Sequence, residues 1–334
     1  MINQPSVEYL QIGENGDNQR IDNFLIKHFR TIPKSHLYQI LRSGQVRVNG
    51  KRISAKYRLQ LGETLRIPPL KIESGNLIAQ KKVPPSSLFQ FNRLYEDDAM
   101  LVIDKPSGIA VHGGSGVSFG VIEQLRAQHP SWKFLELIHR LDRETSGVLM
   151  LAKKRSALVE LHKQIREGST EKHYLVMVKG EWKNTKQHVR LALNKYVAAN
   201  GERRVAISTS AMNGEAKSME AHTIFRLEKT WKQYSLLDAE LKTGRTHQIR
   251  VHLVHLGFPI LGDDKYGDFE LNKKIAKVNN GTRLQRMFLH AYTMRIKHPL
   301  TAQYLNFKSH LPKELSGFVN TVDASTRAGS ASSL

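Results

Sequence analysis

The most constraining feature of the sequence is a polar nonamer, His139–Gly147, that lies between two apolar runs. Leu137 and Ile138 precede it, and Val148–Ala152 follows it. Burying its charged groups without partners would be costly, so the fold must either pair these groups or use them. Two interpretations are open: a polar turn that joins two strands, or a catalytic loop between two core strands that carries Asp142.

Asp142 is the central candidate for chemistry in the nonamer. Arg140 and Arg143 lie close to it on either side. An aspartate beside a guanidinium stays ionised at neutral pH, which suits a nucleophile or a base and not an acid. Acid–base work by Asp142 together with Glu144 is a second possibility, in which one carboxylate acts and the other is structural.

The composition indicates a polyanionic partner. The 334 residues include 40% hydrophobic and 24% charged residues, which fits a globular protein of two or three domains. A net charge of +21 favours nucleic acid or an anionic membrane surface as partner. No apolar run approaches the roughly 20 residues of a membrane span, and no secretory signal is visible. The absence of cysteine excludes disulfides and thiol catalysis. We therefore expect a cytoplasmic nucleic-acid-binding protein.

The N-terminal part of the chain predicts a small basic unit of two helices and a hairpin. Apolar periodicity indicates one amphipathic helix from Gln19 and a second one after Pro33. Alternating residues around Asn49-Gly50 predict a hairpin with a type I′ turn. Residues 18–70 contain 11 lysines and arginines against two acids, a net charge of +9.

This unit resembles an S4 RNA-binding domain, on Gln19–Leu25, Pro33–Ser35 and Gly44–Lys51. The resemblance implies that the second helix and the hairpin present basic residues to RNA. Such a face neutralises phosphates and releases counterions, and it positions the RNA more than it reads the base sequence. The residues of this chain that match the face are Arg42, Arg47, Lys51, Arg52 and Lys56.

Changes in composition along the chain predict its domain boundaries. The S4-like domain is expected to cover residues 18–70. Residues 71–90 contain Lys, Pro and Ser pairs without periodicity and are expected to form an interdomain linker. The larger domain is expected to cover residues 91–315. Small residues dominate the segment 322–334, which favours a disordered tail.

Other chemistries can be weighed on the residues alone. A Gly-rich loop at 112–116 fits neither the P-loop nor the dinucleotide fingerprint, so it is either a flexible loop or a phosphate contact. A metal site is disfavoured because, of His247, His252 and His255, only the last two share a helical face. A serine hydrolase is disfavoured because Ser146 does not lie in a G-x-S-x-G elbow.

A second concentrated polar stretch, Thr243–Arg250, follows a predicted strand at 234–241. The apolar spacing from Thr246 onward suits a short helix closed by Gly257. Arg245 then lies at the junction of strand and helix, where a side chain can point across a cleft.

The two polar stretches together resemble the RluA family of pseudouridine synthases. The matching residues are His139–Asp142 with Thr145–Gly147, Thr243–Arg250, Lys172–Leu175, and Pro106–Gly108 with His112. Four separated motifs occur in the family's order, and with the S4-like domain the resemblance covers nearly residues 18–310. Within the family it points to the subgroup that acts on large-subunit rRNA.

The resemblance implies a fold class of α+β type: a catalytic domain with a mixed, mainly antiparallel β-sheet, plus a small α/β S4-like RNA-binding domain. It implies site-specific isomerisation of uridine to pseudouridine in 23S ribosomal RNA, at more than one position, without a cofactor or a metal ion. The partner is then 23S rRNA or an assembling large ribosomal subunit, and we expect a monomer that does not bind membranes.

The resemblance also assigns roles to residues. Asp142 is the catalytic aspartate, Arg245 pairs with it and holds it ionised, and Tyr174 stacks on the uracil and assists proton removal from C5. Whether Asp142 attacks C1′ or removes a ribose proton to give a glycal stays open. Substrate contacts are assigned to Arg140, in the gap left by the extruded nucleotide, to Ile249 beneath the base, and to His139.

Two other classes of function compete with this one. The first is a non-catalytic rRNA-binding or ribosome-assembly protein on the same fold. The second is a hydrolase that acts on a small ester. Release of tritium from 5-tritiated uridine in rRNA distinguishes the isomerase from both.

Overall fold

The computed structural model describes residues 6–29, 31–70, 88–113, 119–199, 201–208, 218–277, 281 and 283–331, without the side chains of 328–331. The chain divides into two compact units, Met1–Ser87 and Leu88–Leu334. No helix in these ranges combines the length and the apolarity that a membrane crossing needs.

The N-terminal unit packs two helices on a four-stranded sheet. Its elements are β1 Glu8–Gln11, α1 Ile21–His28, α2 Lys34–Arg42, β2 Arg47–Val48, β3 Lys51–Arg52 and β4 Thr64–Ile67. The strand order is β1-β4-β2-β3. Leu25 of α1, Leu37 of α2 and Leu65 of β4 are buried in its core. The two predicted helices are therefore confirmed.

The predicted hairpin is confirmed in detail, and the compact unit extends before the predicted start of the S4-like domain. Asn49 and Gly50 have φ values of 47° and 76°, as a type I′ turn requires. Strand β1 pairs antiparallel with β4, so the unit begins before residue 18. The segment 8–11 has no hydrophobic pattern of its own, and its strand conformation depends on pairing with Thr64–Ile67.

The larger unit is built on one mixed sheet. Its elements are β5 Asn92–Glu96, β6 Met100–Lys105, α3 Val121–Gln128, β7 Glu136–Leu137, β8 Ser146–Ala152, α4 Arg155–Glu167, β9 Glu171–Lys179, β10 Lys186–Arg190, β11 Leu193–Val197, β12 Arg203–Ile207, β13 His222–Thr230, β14 Tyr234–Leu241, α5 Gln248–His255, α6 Phe269–Ile275, β15 Leu289–Lys297, β16 Tyr304–Lys308 and α7 Lys313–Ala331.

The topology of this sheet confirms the predicted fold class. The strand order is β10-β13-β14-β9-β15-β8-β6-β5, with β7 on β8 and β16 on β15, and β11 and β12 form a separate two-stranded ribbon. Strands β8 and β15 run parallel, and the other strand pairs of the described chain are antiparallel. All seven residues of β8 are buried, because apolar side chains cover both faces of the sheet there. Leu149 packs in the core on one face and Met150 in the core on the other.

The predicted disordered tail is wrong over residues 322–331, because α7 includes them. Leu315, Phe318 and Val322 follow one another at helical spacing and pack in a cluster with Trp231. The indole Nε1 of Trp231 also donates a 2.8 Å hydrogen bond to Asp323. Small residues separate these apolar residues in the sequence, so the composition of the segment did not predict a helix. Residues 332–334 lie outside the described chain.

The predicted linker is only partly testable. Residues 71–87 lie outside the described part of the chain. Phe89, which also falls in the predicted linker, belongs to the larger unit: its N–H donates to Gln124 and its carbonyl accepts from Gln128, both on α3. The larger unit therefore begins at about residue 88 and, because of α7, ends beyond residue 315.

Candidate active site

Asp142 lies in the loop between β7 and β8, four residues before a fully buried strand. Its carbonyl oxygen accepts a 3.1 Å hydrogen bond from the N–H of Thr145, which closes a tight turn. Its side chain is 26% exposed. The nonamer thus forms a loop between two strands, as both interpretations of the sequence required, and it leaves the carboxylate of Asp142 partly open to solvent.

The segment that follows β6 fastens this loop. Gly108 N–H donates to the carbonyl of Arg143 at 2.9 Å, and Arg143 Nε donates back to the carbonyl of Gly108 at 3.0 Å. The hydroxyl of Ser107 donates to the carbonyl of Glu144 at 2.8 Å. Arg143 and Glu144 therefore hold the loop in place, while the side chain of Asp142, which precedes them, is left for other contacts.

A buried lysine at the end of β6 stabilises the same loop by hydrogen bonds to backbone carbonyls. Lys105 is fully buried, and its Nζ donates to the carbonyls of Pro106, Ile109 and Arg143 at 2.7, 2.8 and 3.1 Å. Burial, and then the charge of Arg286, lower the pKa of Lys105 to about 7. The three carbonyl oxygens oppose this effect, because only the ammonium form has three protons to donate.

The start of β8 is held by a buried polar cluster. Arg286 Nη2 donates to the hydroxyl of Ser146 at 2.7 Å, and Ser146 Oγ lies 2.8 Å from Nδ1 of His290. His290 Nε2 lies 2.9 Å from the carbonyl of Ser309. Since a carbonyl can only accept, Nε2 carries the ring proton and Ser146 donates to Nδ1. Hydrogen bonds therefore connect the end of the nonamer to the strand pair β15–β16.

Gly147 permits the close approach of β8 to β15. It has a φ of +109°, and a Cβ there would lie 2.2 Å from the carbonyl oxygen of Ala291. Only glycine fits this position without a backbone shift. The last residue of the nonamer is therefore required by the parallel strand pair and not by the chemistry of the site.

A guanidinium from α5 contacts the carboxylate of Asp142. Arg250 Nη1 donates to Asp142 Oδ2 at 3.2 Å, while its Nε and Nη2 bind both oxygens of Asp263 at 2.7 and 2.6 Å. Burial alone would lower the pKa of Arg250, but the hydrogen bonds and charge of Asp263, with those of Asp142, raise it above its ordinary value. The cation is therefore permanent, and Asp263 fixes its orientation.

The predicted pairing of Arg245 with Asp142 is wrong. Arg245 is exposed, and its Nε donates to the carbonyl of Glu220 at 3.0 Å. Arg245 precedes α5, whereas Arg250 lies in the first turn of α5, on the side that is buried. Both arginines belong to the motif found in the sequence, and the direction of the turn between them decides which one reaches Asp142.

Tyr174 lies on β9 and is buried, with 8% exposure. Its register partners on the neighbouring strands are small, Ala239 on β14 and Ala291 on β15. Burial, and then the negative charge of Asp142, raise the pKa of Tyr174 above its ordinary value. Tyr174 is therefore a neutral phenol within electrostatic range of Asp142.

Two of the residues predicted to contact the substrate, Ile249 and Arg140, occupy positions that are compatible with such a contact. Ile249 is 4% exposed and belongs to the same apolar cluster as Tyr174 and Leu141, the neighbour of Asp142. Arg140, two residues before Asp142, is exposed. These positions leave the roles assigned to Ile249 and Arg140 as predictions.

The structure gives His139 a different role from the predicted substrate contact. Its Nε2 accepts a 3.1 Å hydrogen bond from the backbone N–H of Met150 on β8. Burial, and then the charges of Lys172 and His162, lower the pKa of His139 to about 3. The imidazole is therefore neutral, is occupied by the backbone of β8, and stabilises the loop from inside the protein.

Several residues of the site were missed from the sequence. Arg250 and His247 have a detectable signal, because residues three apart share a helical face at the start of a predicted helix. Asp263 and Tyr266 have none, since they follow an unremarkable apolar segment 13 and 16 residues after Arg250. Among the described residues no three His, Asp or Glu side chains converge as a metal ion would require. The Gly-rich loop at 112–116 lies mostly outside the described residues, so both of its interpretations stay open.

The predicted RNA-binding face of the N-terminal unit is exposed and crowded with cations. Arg42, Arg47, Lys51, Arg52 and Lys56 are all exposed, and none of these five forms an ion pair with a carboxylate of the described chain. Arg47 lies opposite Arg52 on β3 and opposite Arg66 on β4. Like charges directly opposite one another are destabilising, so this face is suited to a polyanion.

Comparison with known proteins identifies the family to which this fold belongs. Residues 99–255 match the model of the RNA pseudouridylate synthase family, and residues 19–65 match that of the S4 domain. The chain belongs to the family of RNA pseudouridine synthases. It is 42% identical over 315 residues to ribosomal large subunit pseudouridine synthase C of Haemophilus influenzae, with 94% of each chain covered. It is 44% identical over 316 residues to the Escherichia coli K12 protein of the same name, with 93% of this chain and 95% of that protein covered. The family predicted from the motifs is thereby confirmed.

Solved structures support the fold. The human RNA pseudouridylate synthase domain containing 1 covers 72% of this chain and 98% of its own, with a TM-score of 0.53 and 23% identity. The human RNA pseudouridylate synthase domain containing 4 covers 70% of this chain and 93% of its own, with a TM-score of 0.54 and 22% identity. At such identities the likeness concerns the architecture alone.

Proposed function

We infer that this chain isomerises uridine to pseudouridine in the RNA of the large ribosomal subunit, which is 23S rRNA in bacteria. Relatives that are 42% and 44% identical over nearly the whole chain are named as ribosomal large subunit pseudouridine synthases. The observation that carries the inference is the pairing of one partly exposed carboxylate, Asp142, with a buried and permanently charged Arg250. No observation favours a binding-only protein or an ester hydrolase.

Asp142 acts on the ribose in this reaction. The N1–C1′ bond of uridine breaks, a C5–C1′ bond forms, C5 loses a hydrogen and N1 gains one, so atoms balance without a cofactor. Attack on C1′ and removal of a ribose proton both require a carboxylate oxygen with a free lone pair. Arg250 contacts Oδ2, and Oδ1 has no hydrogen-bond partner in the described chain. Oδ1 is therefore the reacting oxygen.

Tyr174 provides a ring for stacking and a hydroxyl for proton transfer. Since its pKa is raised by burial and by Asp142, it is protonated before the substrate binds. It therefore assists the removal of the C5 proton by relaying it and not as a ready phenolate. Tyr174→Phe keeps the ring and should lower kcat by about 100-fold with little change in RNA affinity, as loss of a proton-transfer group does.

The target uridine has to leave its stack to reach Asp142. Extrusion of a nucleotide costs a few kcal/mol and is least expensive in loops and strained RNA. In our proposal Arg140 fills the gap left in the RNA and Ile249 packs beneath the uracil. The exposure of Arg140 and the burial of Ile249 in the same apolar cluster as Tyr174 support this arrangement.

The S4-like face supplies the sequence-independent part of RNA binding. Its exposed cations, among them Arg47 and Lys51, suit contacts to phosphates. We further propose that the protein acts as a monomer in the cytoplasm, modifies more than one uridine, and uses 23S rRNA or an assembling large subunit as substrate. Arg245, being exposed beside the site, is assigned to the RNA and not to Asp142.

Tritium release from large-subunit rRNA that carries 5-tritiated uridine tests this function. The wild-type protein should release tritium in proportion to pseudouridine formed, and Asp142→Asn should release none. Asp98→Asn removes an exposed aspartate and serves as the matched control with full activity. RNA binding without release by the wild type would favour a binding-only protein, and full release by Asp142→Asn would remove Asp142 from the mechanism.

A further inference from the structure

A hydrogen-bonded chain runs from strand β12 to the edge of the site at Asp142. The backbone N–H of Val205 donates to the hydroxyl of Tyr266 at 3.0 Å. This hydroxyl lies 2.9 Å from Nδ1 of His247. The other ring nitrogen, Nε2, lies 3.9 Å from Oδ2 of Asp142. Within this hydrogen-bonded series, His247 links Tyr266 to the carboxylate of Asp142.

The donors in this chain fix the tautomer of His247. A backbone N–H can only donate, so the oxygen of Tyr266 accepts from Val205. Among the described residues the hydroxyl of Tyr266 has one other hydrogen-bond partner, Nδ1 of His247, so we assign the hydroxyl proton to that contact and the ring proton to Nε2. Burial lowers the pKa of His247, the charge of Asp142 raises it and that of Arg250 lowers it, and the net direction is downward. A neutral imidazole therefore directs an N–H towards Asp142.

The backbone holds the imidazole in this orientation. His247 has φ 53° and ψ 21°, a left-handed conformation that residues other than glycine seldom adopt, directly before α5. The next residue, Gln248, is buried and uses both ends of its amide. Its oxygen accepts from Thr243 Oγ1 and from Arg245 N–H, and its nitrogen donates to His222 O and Thr223 Oγ1. Strain of this kind persists where the surrounding structure fixes it, most often at functional sites.

We propose that His247 is a positioning residue for Asp142, and that Tyr266 selects the tautomer in which it acts. Nε2–H and Arg250 Nη1 both approach the same oxygen, Oδ2. Together they hold the carboxylate from one side and keep Oδ1 turned to the substrate. The proposal rests on the inferred function, because it takes Asp142 as the catalytic aspartate.

Two substitutions at position 247 separate positioning from folding. In His247→Gln the amide nitrogen can lie where Nε2 lies, whereas in His247→Asn it lies near the position of Nδ1. Asparagine also tolerates the left-handed conformation best among residues other than glycine, so His247→Asn should keep or raise the Tm. We expect kcat to fall about 10- to 100-fold in His247→Asn, the scale of a misplaced reactive group, and to recover at least in part in His247→Gln. The KM for rRNA should not change in either variant.

Tyr266→Phe provides an independent measurement. It keeps the ring, whose centroid lies 5.0 Å from the guanidinium carbon of Arg250, and removes the hydroxyl that orients His247. We expect kcat to fall about tenfold with an unchanged KM. Wild-type kcat in His247→Asn or in Tyr266→Phe overturns the proposal, and so does an equal loss in His247→Gln and His247→Asn. Asp142→Asn in the same assay tests the inferred function separately: if that variant is active, the function assigned to Asp142 fails, whatever His247 does.

Discussion

The guanidinium of Arg250 joins two carboxylates of different kinds. Nη1 lies 3.2 Å from Oδ2 of the partly exposed Asp142, and Nε and Nη2 bind both oxygens of the fully buried Asp263. A guanidinium held by two hydrogen bonds on one side cannot follow a moving partner on the other. Asp142 therefore adopts the position that Arg250 and Asp263 define, and the site is organised before RNA binds.

Arg250→Lys should inactivate the protein, whereas Arg245→Lys should not. A lysine ammonium cannot form a bidentate contact with Asp263 and reach Asp142 at the same time. We therefore expect kcat to fall about 100-fold or more. Arg245→Lys changes an exposed residue that is bonded to a backbone carbonyl, so kcat at saturating rRNA should stay within about twofold. Single-turnover tritium release measures both variants. A larger loss of kcat for Arg245→Lys than for Arg250→Lys would restore the pairing predicted from the sequence.

Asp263 should make the protein sensitive to acid. Burial would raise its pKa, but Arg250 and the N–H groups of Tyr266 and Lys265 lower it below the ordinary value of 3.8. The unfolded state therefore binds the proton first, and the stability from Asp263 is present above about pH 4 and is lost as pH falls further. Asp263→Asn should be less stable at pH 7 and lose less free energy of unfolding between pH 5 and 3. Urea unfolding at each pH measures the free energy of unfolding of the wild type and of Asp263→Asn. An equal decrease of this free energy between pH 5 and 3 in the two proteins would contradict the expectation.

Gly147→Ala should destabilise the larger unit strongly. The new Cβ would meet the carbonyl of Ala291, and the positive φ of Gly147 disfavours any L side chain. Strain and overpacking together should cost about 3 kcal/mol or more. Gly244→Ala is the matched control, since a Cβ there has nothing within 4 Å. Thermal unfolding that shows equal Tm values for the two variants would mean that β8 and β15 do not approach as closely as described.

Charge reversal on the S4-like face should weaken the salt dependence of rRNA binding. The double variant Arg47→Glu with Lys51→Glu removes at least two cations from the phosphate contacts. The slope of log K against log salt should therefore fall by about 1.5 or more in magnitude. The pair Lys163→Glu with Arg166→Glu on α4 makes the same charge change on exposed positions of the larger unit and should change the slope less. An unchanged slope in the first variant would place the RNA on another surface.

The parts of the fold that were predicted correctly depend on local patterns. The two N-terminal helices, the Asn49-Gly50 turn and the strand at 234–241 each follow from residues close together in the sequence. The loop between β7 and β8 could be predicted because polar residues between two apolar runs are conspicuous, and the family resemblance proposes Asp142 as its catalytic residue. Helix α7 was missed since its apolar face, Leu315, Phe318 and Val322, is spread among small residues.

The parts that were missed depend on long-range geometry. Arg245 and Arg250 occur in one motif, and the left-handed conformation of His247 between them turns Arg250 towards Asp142. Nothing local predicts that conformation at a histidine, because Gln248 and its four hydrogen bonds maintain it. Asp263 becomes part of the site only through the folded position of its loop.

The central claim is that Asp142 is the carboxylate with which this chain makes pseudouridine in large-subunit rRNA. Mapping pseudouridines in 23S rRNA from a strain that lacks the chain, complemented with wild type or with Asp142→Asn, tests it most directly. We predict that specific pseudouridines are absent from the deletion strain, return with the wild type and stay absent with Asp142→Asn. Identical pseudouridine maps in all three strains, or full restoration by Asp142→Asn, would contradict the account.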